Sequence, residues 1–185
     1  MAELHTSRLL LRRWHSGDLR EVTGIFADPG FSWHPFRRAR TPEEARAFLD
    51  RALSHWDRHG FGRWAVCERT TGRLLGYAGV SELSWPPADG GWDIGWRLAS
   101  SAWGRGLGHE AAAATADEAF SRGTDLLVAV VEVGNDASRR ICARLGMRET
   151  DIARHPEFGT PHVIATLHRS QEAEEANSTS HTRSE

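Results

Sequence analysis

Six consecutive residues, Gly104-Arg105-Gly106-Leu107-Gly108-His109, carry the densest chemical signal in this 185-residue sequence. Alternating glycines strip side chains from a short stretch of backbone, so its N–H groups can approach an anion closely. The residues that follow, alanine-rich from Ala111 to Ala116, read as a helix. The first turn of a helix leaves backbone donors without partners, and the macrodipole makes that end positive. Ahead of the glycines, Trp92 to Leu98 reads as an apolar strand that turns through Ala99, Ser100 and Ser101. Strand, glycine loop and helix start together suit the binding of a phosphate or diphosphate.

Spacing narrows the choice. A P-loop ends in G-K-[ST], and all 23 basic residues here are arginine. A dinucleotide fingerprint reads G-x-G-x-x-G, whereas Gly104, Gly106 and Gly108 give G-x-G-x-G, with His109 where the third glycine belongs. Taken alone, the motif also fits a glycine-rich turn with no ligand. Elsewhere, Glu132 interrupts an otherwise apolar run from Leu126 to Val133. It reads either as a proton acceptor or as a carboxylate at a solvated strand end. His55 and His59 lie four apart on a helix, but the intervening Trp56-Asp57-Arg58 lacks the glutamate of a zinc-protease motif. A solvated helix face is expected there, and no metal site is expected anywhere.

The elements that must position these groups follow from periodicity. Thr6 to Trp14 reads as a first strand. Ser16 can cap a helix with Leu19, Val22 and Phe26 on one face, ending at Asp28-Pro29-Gly30. The aromatic, basic segment Phe31 to Arg40 reads as irregular. Thr41-Pro42-Glu43-Glu44 is a capping box with proline at the first helical position. The helix it opens carries Ala45, Phe48, Leu49, Ala52, Leu53 and Trp56 at helical spacing and ends at His59-Gly60. Gly62 to Glu68 and Leu74 to Val80 form an expected hairpin around Thr70-Thr71-Gly72. Ser84 to Gly91 reads as a loop into the central strand. The helix from Leu107 to Arg122 keeps small residues at Gly108, Ala112, Ala116 and Ala119. Leu126 to Val133 reads as a buried strand, and Asn135 caps a helix that Gly146 ends. Met147 to Ile152 and His162 to His168 read as the last two strands. The order is β-α-α-β-β-β-α-β-α-β-β, an α+β fold with a mixed, mostly antiparallel sheet and about four flanking helices.

This length suits one domain, 1–169, followed by a polar, acidic tail, 170–185, expected to be disordered. A formal charge of −2 offers no general pull toward nucleic acid or membrane. Cys67 and Cys142 are far apart and form no metal or redox motif, which points to a reducing compartment. With no long apolar run and no signal sequence, a cytoplasmic protein is expected.

Trp103-Gly104-Arg105-Gly106-Leu107-Gly108 resembles the pyrophosphate loop of the GCN5-related N-acetyltransferases, [QR]-x-x-G-x-[GA], except that Trp103 stands at the first position. W-G-R-G resembles the branch that modifies the N-termini of ribosomal proteins. TSRLLLRRW is similar to that branch's T-x-R-L-x-L-R opening, and Asp28-Pro29 to its helix-ending D-P. GFGRWAVCERTTGRLLGYAGV is similar to its second and third strands. Asn135 to Ser138 with Leu145-Gly146-Met147 is similar to N-x-x-S…L-G-[FM]. The resemblance runs over nearly all residues before Ser170. It implies a splayed central strand pair and transfer of an acetyl group from acetyl-CoA to an amine acceptor, a peptide N-terminus or a small molecule, by a monomer or homodimer. Two other readings are a non-catalytic acyl-CoA-binding module and a nucleotide-binding oxidoreductase domain.

The resemblance also distributes roles. The pantetheine arm falls on Trp96, Arg97 and Leu98, and the diphosphate on Gly104, Arg105, Gly106, Leu107, Gly108 and His109. Asp93 occupies the acid's place in the branch's E-I-G-[YW]-x-L motif and is the first candidate base, with Glu132 the second. Asn135, also a good N-cap, would contact the arm, and Ser138 would lie near the sulfur as a candidate acid for the thiolate, which could otherwise leave unassisted. A tyrosine that many members use as the acid is replaced by Cys142, which reads better as a buried helix cysteine than as a nucleophile. Trp33, His34, Phe36 and Trp85 belong to the two loops that flank the acceptor mouth in this fold, with core packing as the alternative. His155-Pro156 resembles an H-P motif at the substrate end.

Overall fold

A computed structural model describes residues 3–83, 85 and 91–169. The expected tail from Ser170 and most of the expected loop from Ser84 to Gly91 lie outside the described residues. Eight strands form one sheet in the order β1-β2-β3-β4-β5-β6-β8-β7. They are β1 (Glu3–His5), β2 (Leu9–Arg12), β3 (Arg63–Glu68), β4 (Leu74–Glu82), β5 (Trp92–Leu98), β6 (Leu126–Glu132), β7 (Arg148–Arg154) and β8 (Pro161–His168). The helices are α1 (Leu19–Phe26), the short turn α2 (Trp33–Phe36), α3 (Pro42–His59), α4 (Leu107–Ser121) and α5 (Asp136–Arg144). All strand pairs are antiparallel except β5 with β6.

Three expectations change in detail. The first strand divides into a hairpin, because Thr6 folds back: its N–H donates to Leu9 O at 3.0 Å and its Oγ1 accepts from Leu9 N at 2.9 Å. Ser16 opens a single 3-10 turn, and α1 starts at Leu19. That turn is organised by Asp18, which accepts from His15 N and takes both Nη atoms of Arg12 at 2.7 and 2.8 Å. The irregular segment contains α2, whose end at Arg37 is left-handed (φ 59°). The capping box of α3 is present: Thr41 Oγ1 accepts from Glu44 N, and Glu44 Oε2 accepts from Thr41 N.

Apolar side chains pack on both faces of the sheet. Strand register puts Tyr77, Arg97, Ser81 and Asp93 on one face. There Tyr77 packs with Phe48 of α3 and with Phe31, at ring separations of 5.0 and 6.1 Å. On the other face, Val80, Ile94, Leu127 and Ala129 pack with Ala116 and Ala119 of α4. The expected small-residue face of α4 is what allows this close approach, except that Gly108 turns to α5. A Cβ there would stand 3.0 Å from Ile141 Cδ1.

The element that positions the site is the seam between β5 and β6. These parallel strands pair only at Trp92–Leu127 and Asp93–Val128. Beyond that rung they part, and β5 from Ile94 to Leu98 keeps a strand partner on its β4 side alone.

Candidate active site

The glycine loop follows the end of β5, past the rung beyond which the strands part. Gly104 (φ 70°) and Gly106 (φ 76°) occupy the left-handed region, where a side chain is costly. Gly106 is the N-cap of α4, and no side chain caps the helix. Among the described residues, none of the N–H groups from Gly104 to His109 donates to a protein acceptor. The loop is braced from outside. Trp103 Nε1 donates to Leu98 O at 2.8 Å, tying the loop to the end of β5. Arg8 donates through Nη1 to Arg105 O and through Nε to Glu110 Oε2, both at 2.7 Å. Burial would push the Glu110 carboxyl up, yet hydrogen bonds from Thr6, Arg8 and Ser7 hold it below its ordinary value. The Arg105 side chain is paired with Glu68 at 2.8 Å.

On the sheet face that carries Asp93 and Arg97, α2 bridges the two parted walls of the seam. Arg97 Nη2 on β5 donates to His34 O at 2.8 Å. His34 Nδ1 and Arg37 Nη2 each lie 2.5 Å from a carboxylate oxygen of Glu132 on β6. Glu132 is only 7% exposed. Its place is set by the tight turn after β6, in which Asn135 N donates to Glu132 O. His162 of β8 pairs with Glu132 in register. Its ring lies 5.1 Å from His155, which packs on Phe158 and Trp85, and Phe158 in turn meets Phe36. Burial and the charge of His162 hold His155 below its ordinary value. His34, Phe36, Trp85 and Glu132 therefore belong to one aromatic and histidine-rich mouth. Trp33 stands at its rim, half exposed, under the Arg37 guanidinium.

Asp93 faces the same side at the closed base of the seam. It accepts from Arg63 Nη2 at 2.5 Å and from Ser81 Oγ at 3.3 Å. Against the cost of burial, Asp93 keeps the Arg63 guanidinium protonated above its ordinary range.

Residues 8–148 match the family model described as an acetyltransferase (GNAT) domain. The chain belongs to the GNAT acetyltransferase family. It is 25% identical over 164 residues to the uncharacterized N-acetyltransferase YoaA of Bacillus subtilis, covering 86% of this chain and 91% of that one. Among solved structures it is similar to a ribosomal-protein-alanine acetyltransferase from Vibrio fischeri (TM-score 0.76, 18% identity, 92% and 98% covered). It is also similar to RimL, a ribosomal α-N-protein acetyltransferase in complex with coenzyme A (TM-score 0.75, 15% identity, 90% and 98% covered). At these identities the structural likenesses speak for the fold.

The remaining GNAT candidates fall as follows. Asn135 Oδ1 accepts from Ser138 N at 3.2 Å, so the cap on α5 is made. Ser138 lies half-buried in the first turn of α5. Cys142 is buried, and burial pushes its thiol up to about 12, which suits core packing. Trp96 packs against both apolar clusters, and Leu98 is buried in the cluster that includes Leu107 and Ala111 of α4. The Asp28-Pro29 motif has a physical role: Asp28 accepts from Ser100 N and Oγ and from Gly30 N, stitching the end of α1 to the turn before the loop. His55 and His59 are half-buried, their tilted rings 4.5 Å apart and packed on Phe61, where a solvated face was expected. Phe61 is the apolar neighbour that draws them in. Arg8, Arg37, Arg63, Phe158 and His162 escaped the sequence reading of the site. Only Arg8, inside the T-x-R-L opening, carried a signal there. No helix among the described residues is long and apolar enough to cross a membrane.

Proposed function

We propose that this protein transfers an acetyl group from acetyl-CoA to a primary amine, on a protein N-terminus or a small molecule, by direct attack with both substrates bound. The observation that carries the proposal is the continuity of the opened β5/β6 seam with the uncapped, glycine-lined start of α4. The residues fit coenzyme A. Gly104 has open space around the position of a Cβ, and its φ excludes most side chains. The amides from Gly104 to His109 would hold the diphosphate. The free edge of β5 through Trp96, Arg97 and Leu98 would pair with the pantetheine arm, with Asn135 and Ser138 on the far wall. When bound, acetyl-CoA supplies an activated thioester.

The chain's own residues must then orient an amine and take its proton. An alkyl amine has a pKa near ~10 and an α-amine near ~8, so either needs a proton acceptor at neutral pH. The mouth built from Trp33, His34, Phe36, Trp85 and Glu132 would receive the acceptor. We place the proton acceptor at this mouth, because Asp93 is committed to Arg63 and Ser81 at the base of the seam.

A thiol-release screen with acetyl-CoA against N-terminal peptides, amino acids and aminoglycosides tests this. Turnover with any of them supports the proposal. Calorimetric binding of coenzyme A with no thiol release from any amine would make the protein a binding module. Binding of NAD in place of coenzyme A would overturn the cofactor assignment.

A further inference from the structure

His34 stands where the parted walls of the seam are joined again. Arg97 and Glu132 each lie four residues beyond the last paired rung, Asp93–Val128, one on either wall and on the same face of the sheet. His34 touches both, through its carbonyl to Arg97 Nη2 at 2.8 Å and through Nδ1 to Glu132 Oε2 at 2.5 Å. We propose that His34 is a catalytic residue whose Nε2 takes the proton from the attacking amine, with Glu132 as its positioning residue. This rests on the acetyltransferase reading above.

The tautomer follows from the partners. Arg37 Nη1 also lies 2.9 Å from His34 Nδ1, but a guanidinium only donates and a carboxylate only accepts. The shorter contact to Glu132 therefore carries the proton, on Nδ1. Arg37 spends its hydrogen bonds on Glu132 Oε1 and on Trp33 O. Nε2 keeps its lone pair, and among the described residues it has no protein partner. The His34 side chain is 27% exposed, whereas that of Glu132 is 6% exposed with both oxygens occupied. Glu132 cannot reach an amine directly; His34 can. A carboxylate that fixes a histidine's tautomer and faces the imidazolium is a general device of acid–base catalysis.

The step balances. As the neutral amine nitrogen bonds to the acyl carbon and the carbon–sulfur bond breaks, the nitrogen's surplus proton moves to His34 Nε2. The imidazolium, facing Glu132, then passes that proton to the departing sulfur. The products are the amide, a free thiol and neutral His34.

The variant that separates catalysis from structure is His34→Asn, whose side-chain amide can still donate to Glu132 from near the Nδ1 position. With a short peptide bearing a free α-amine, kcat at pH 7 should fall by ~10²–10⁴, the usual worth of a general base. Coenzyme A affinity by calorimetry should stay within about twofold, since that change is only ~0.4 kcal/mol. The rise of kcat/KM with pH on the acid side should disappear. The charged and titratable groups around His34 are Glu132, Arg37, Arg97 and, beside Glu132, His162 and His155. His162→Gln and His155→Gln should retain that rise. Independently of turnover, ¹⁵N spectra of the histidines in the ligand-free protein should show His34 protonated on Nδ1 when neutral. Full kcat in His34→Asn, or a neutral His34 protonated on Nε2, would overturn the proposal. If the parent releases no thiol with peptide, amino acid or aminoglycoside, the acetyltransferase reading falls and the base role with it. The ¹⁵N spectrum would still report the His34–Glu132 pair.

Discussion

Arg63 of β3 reaches Asp93 of β5 across the full width of β4, with Nη2 2.5 Å from Oδ2. Gly95 leaves room for its guanidinium. Arg63, Gly79 and Gly95 are aligned in register across the three strands, and a Cβ on Gly95 would stand 3.3 Å from Arg63 Nη2. The pair, with Arg97 and Arg40, places three guanidiniums around buried Tyr77; against the effect of burial, their charges pull its phenol below its ordinary value.

Asp93→Asn should therefore act first on stability. It leaves the Arg63 charge without its carboxylate, a loss of about 2 kcal/mol for a charge-assisted hydrogen bond. For a domain of this size that is a fall in Tm of ~5 °C. Turnover of the folded variant should stay within a few-fold of the parent, whereas Glu132→Gln should lose ~10² or more. Thermal melts and kinetics on both variants check this. A stable Asp93→Asn that loses ~10² in kcat would move the base role to Asp93.

Gly106→Asp should fold, because aspartate is among the residues that tolerate a left-handed φ, and should weaken coenzyme A binding at least tenfold, or ~1.4 kcal/mol. The new carboxylate would stand at the N-terminus of α4, where the proposed diphosphate sits. Unchanged affinity by calorimetry in a folded variant would remove the loop from the site.

Arg8→Gln tests the bracing of that loop. It removes the charged contacts to Glu110 and the bond to Arg105 O. Coenzyme A affinity should fall about three- to tenfold, equivalent to ~1 kcal/mol. Because Arg8 is half exposed, the Tm should fall by no more than a few degrees, consistent with ~1 kcal/mol. Equal affinities for parent and variant would show that the loop holds its shape without Arg8.

Acid should loosen the start of α3. The Arg38 side chain, then the Thr41 N–H, hold Glu44 at about 2, below its ordinary 4.5. A depressed carboxyl stabilises the fold fully above its unfolded value, and that stability is lost as pH falls toward the folded value. Between pH 4.5 and about 2, the Tm of the parent should fall more steeply than that of Glu44→Gln. At pH 6 the variant should melt lower, having lost the contribution throughout. Parallel Tm curves for the two proteins would exclude the contribution.

Cys142 should resist alkylation at pH 8, since its thiol stands at about 12 through burial. Cys142→Ala should retain turnover. Rapid labelling in the folded protein, or a loss of ~10² in kcat, would give the thiol a chemical role.

Local order was legible in the chain. Helical spacing from Ala45 to Trp56, the Thr41 box, the glycines before α4 and the apolar run of β6 each act within a few residues. Hydrogen bonding and burial there depend on the chain's own period. Those same signals led to the mixed sheet, the loop and Glu132, while the family resemblance supplied the candidates His34, Phe36 and Asp93. Their partnerships were another matter. His34 and Glu132 are 98 residues apart, Arg8 and Glu110 102, and Arg63 and Asp93 30. Which of these groups meet depends on strand order, on where the β5/β6 pairing stops, and on the room that Gly95 leaves for the Arg63 guanidinium. None of that has a local period, so the pairing of Asp93 with Arg63 could not be read from the chain. The division of the first strand into a hairpin has the same origin: Thr6 turns back on Leu9, and its Oγ1 and the N–H of Arg8 then meet Glu110, an anchor that only tertiary packing supplies.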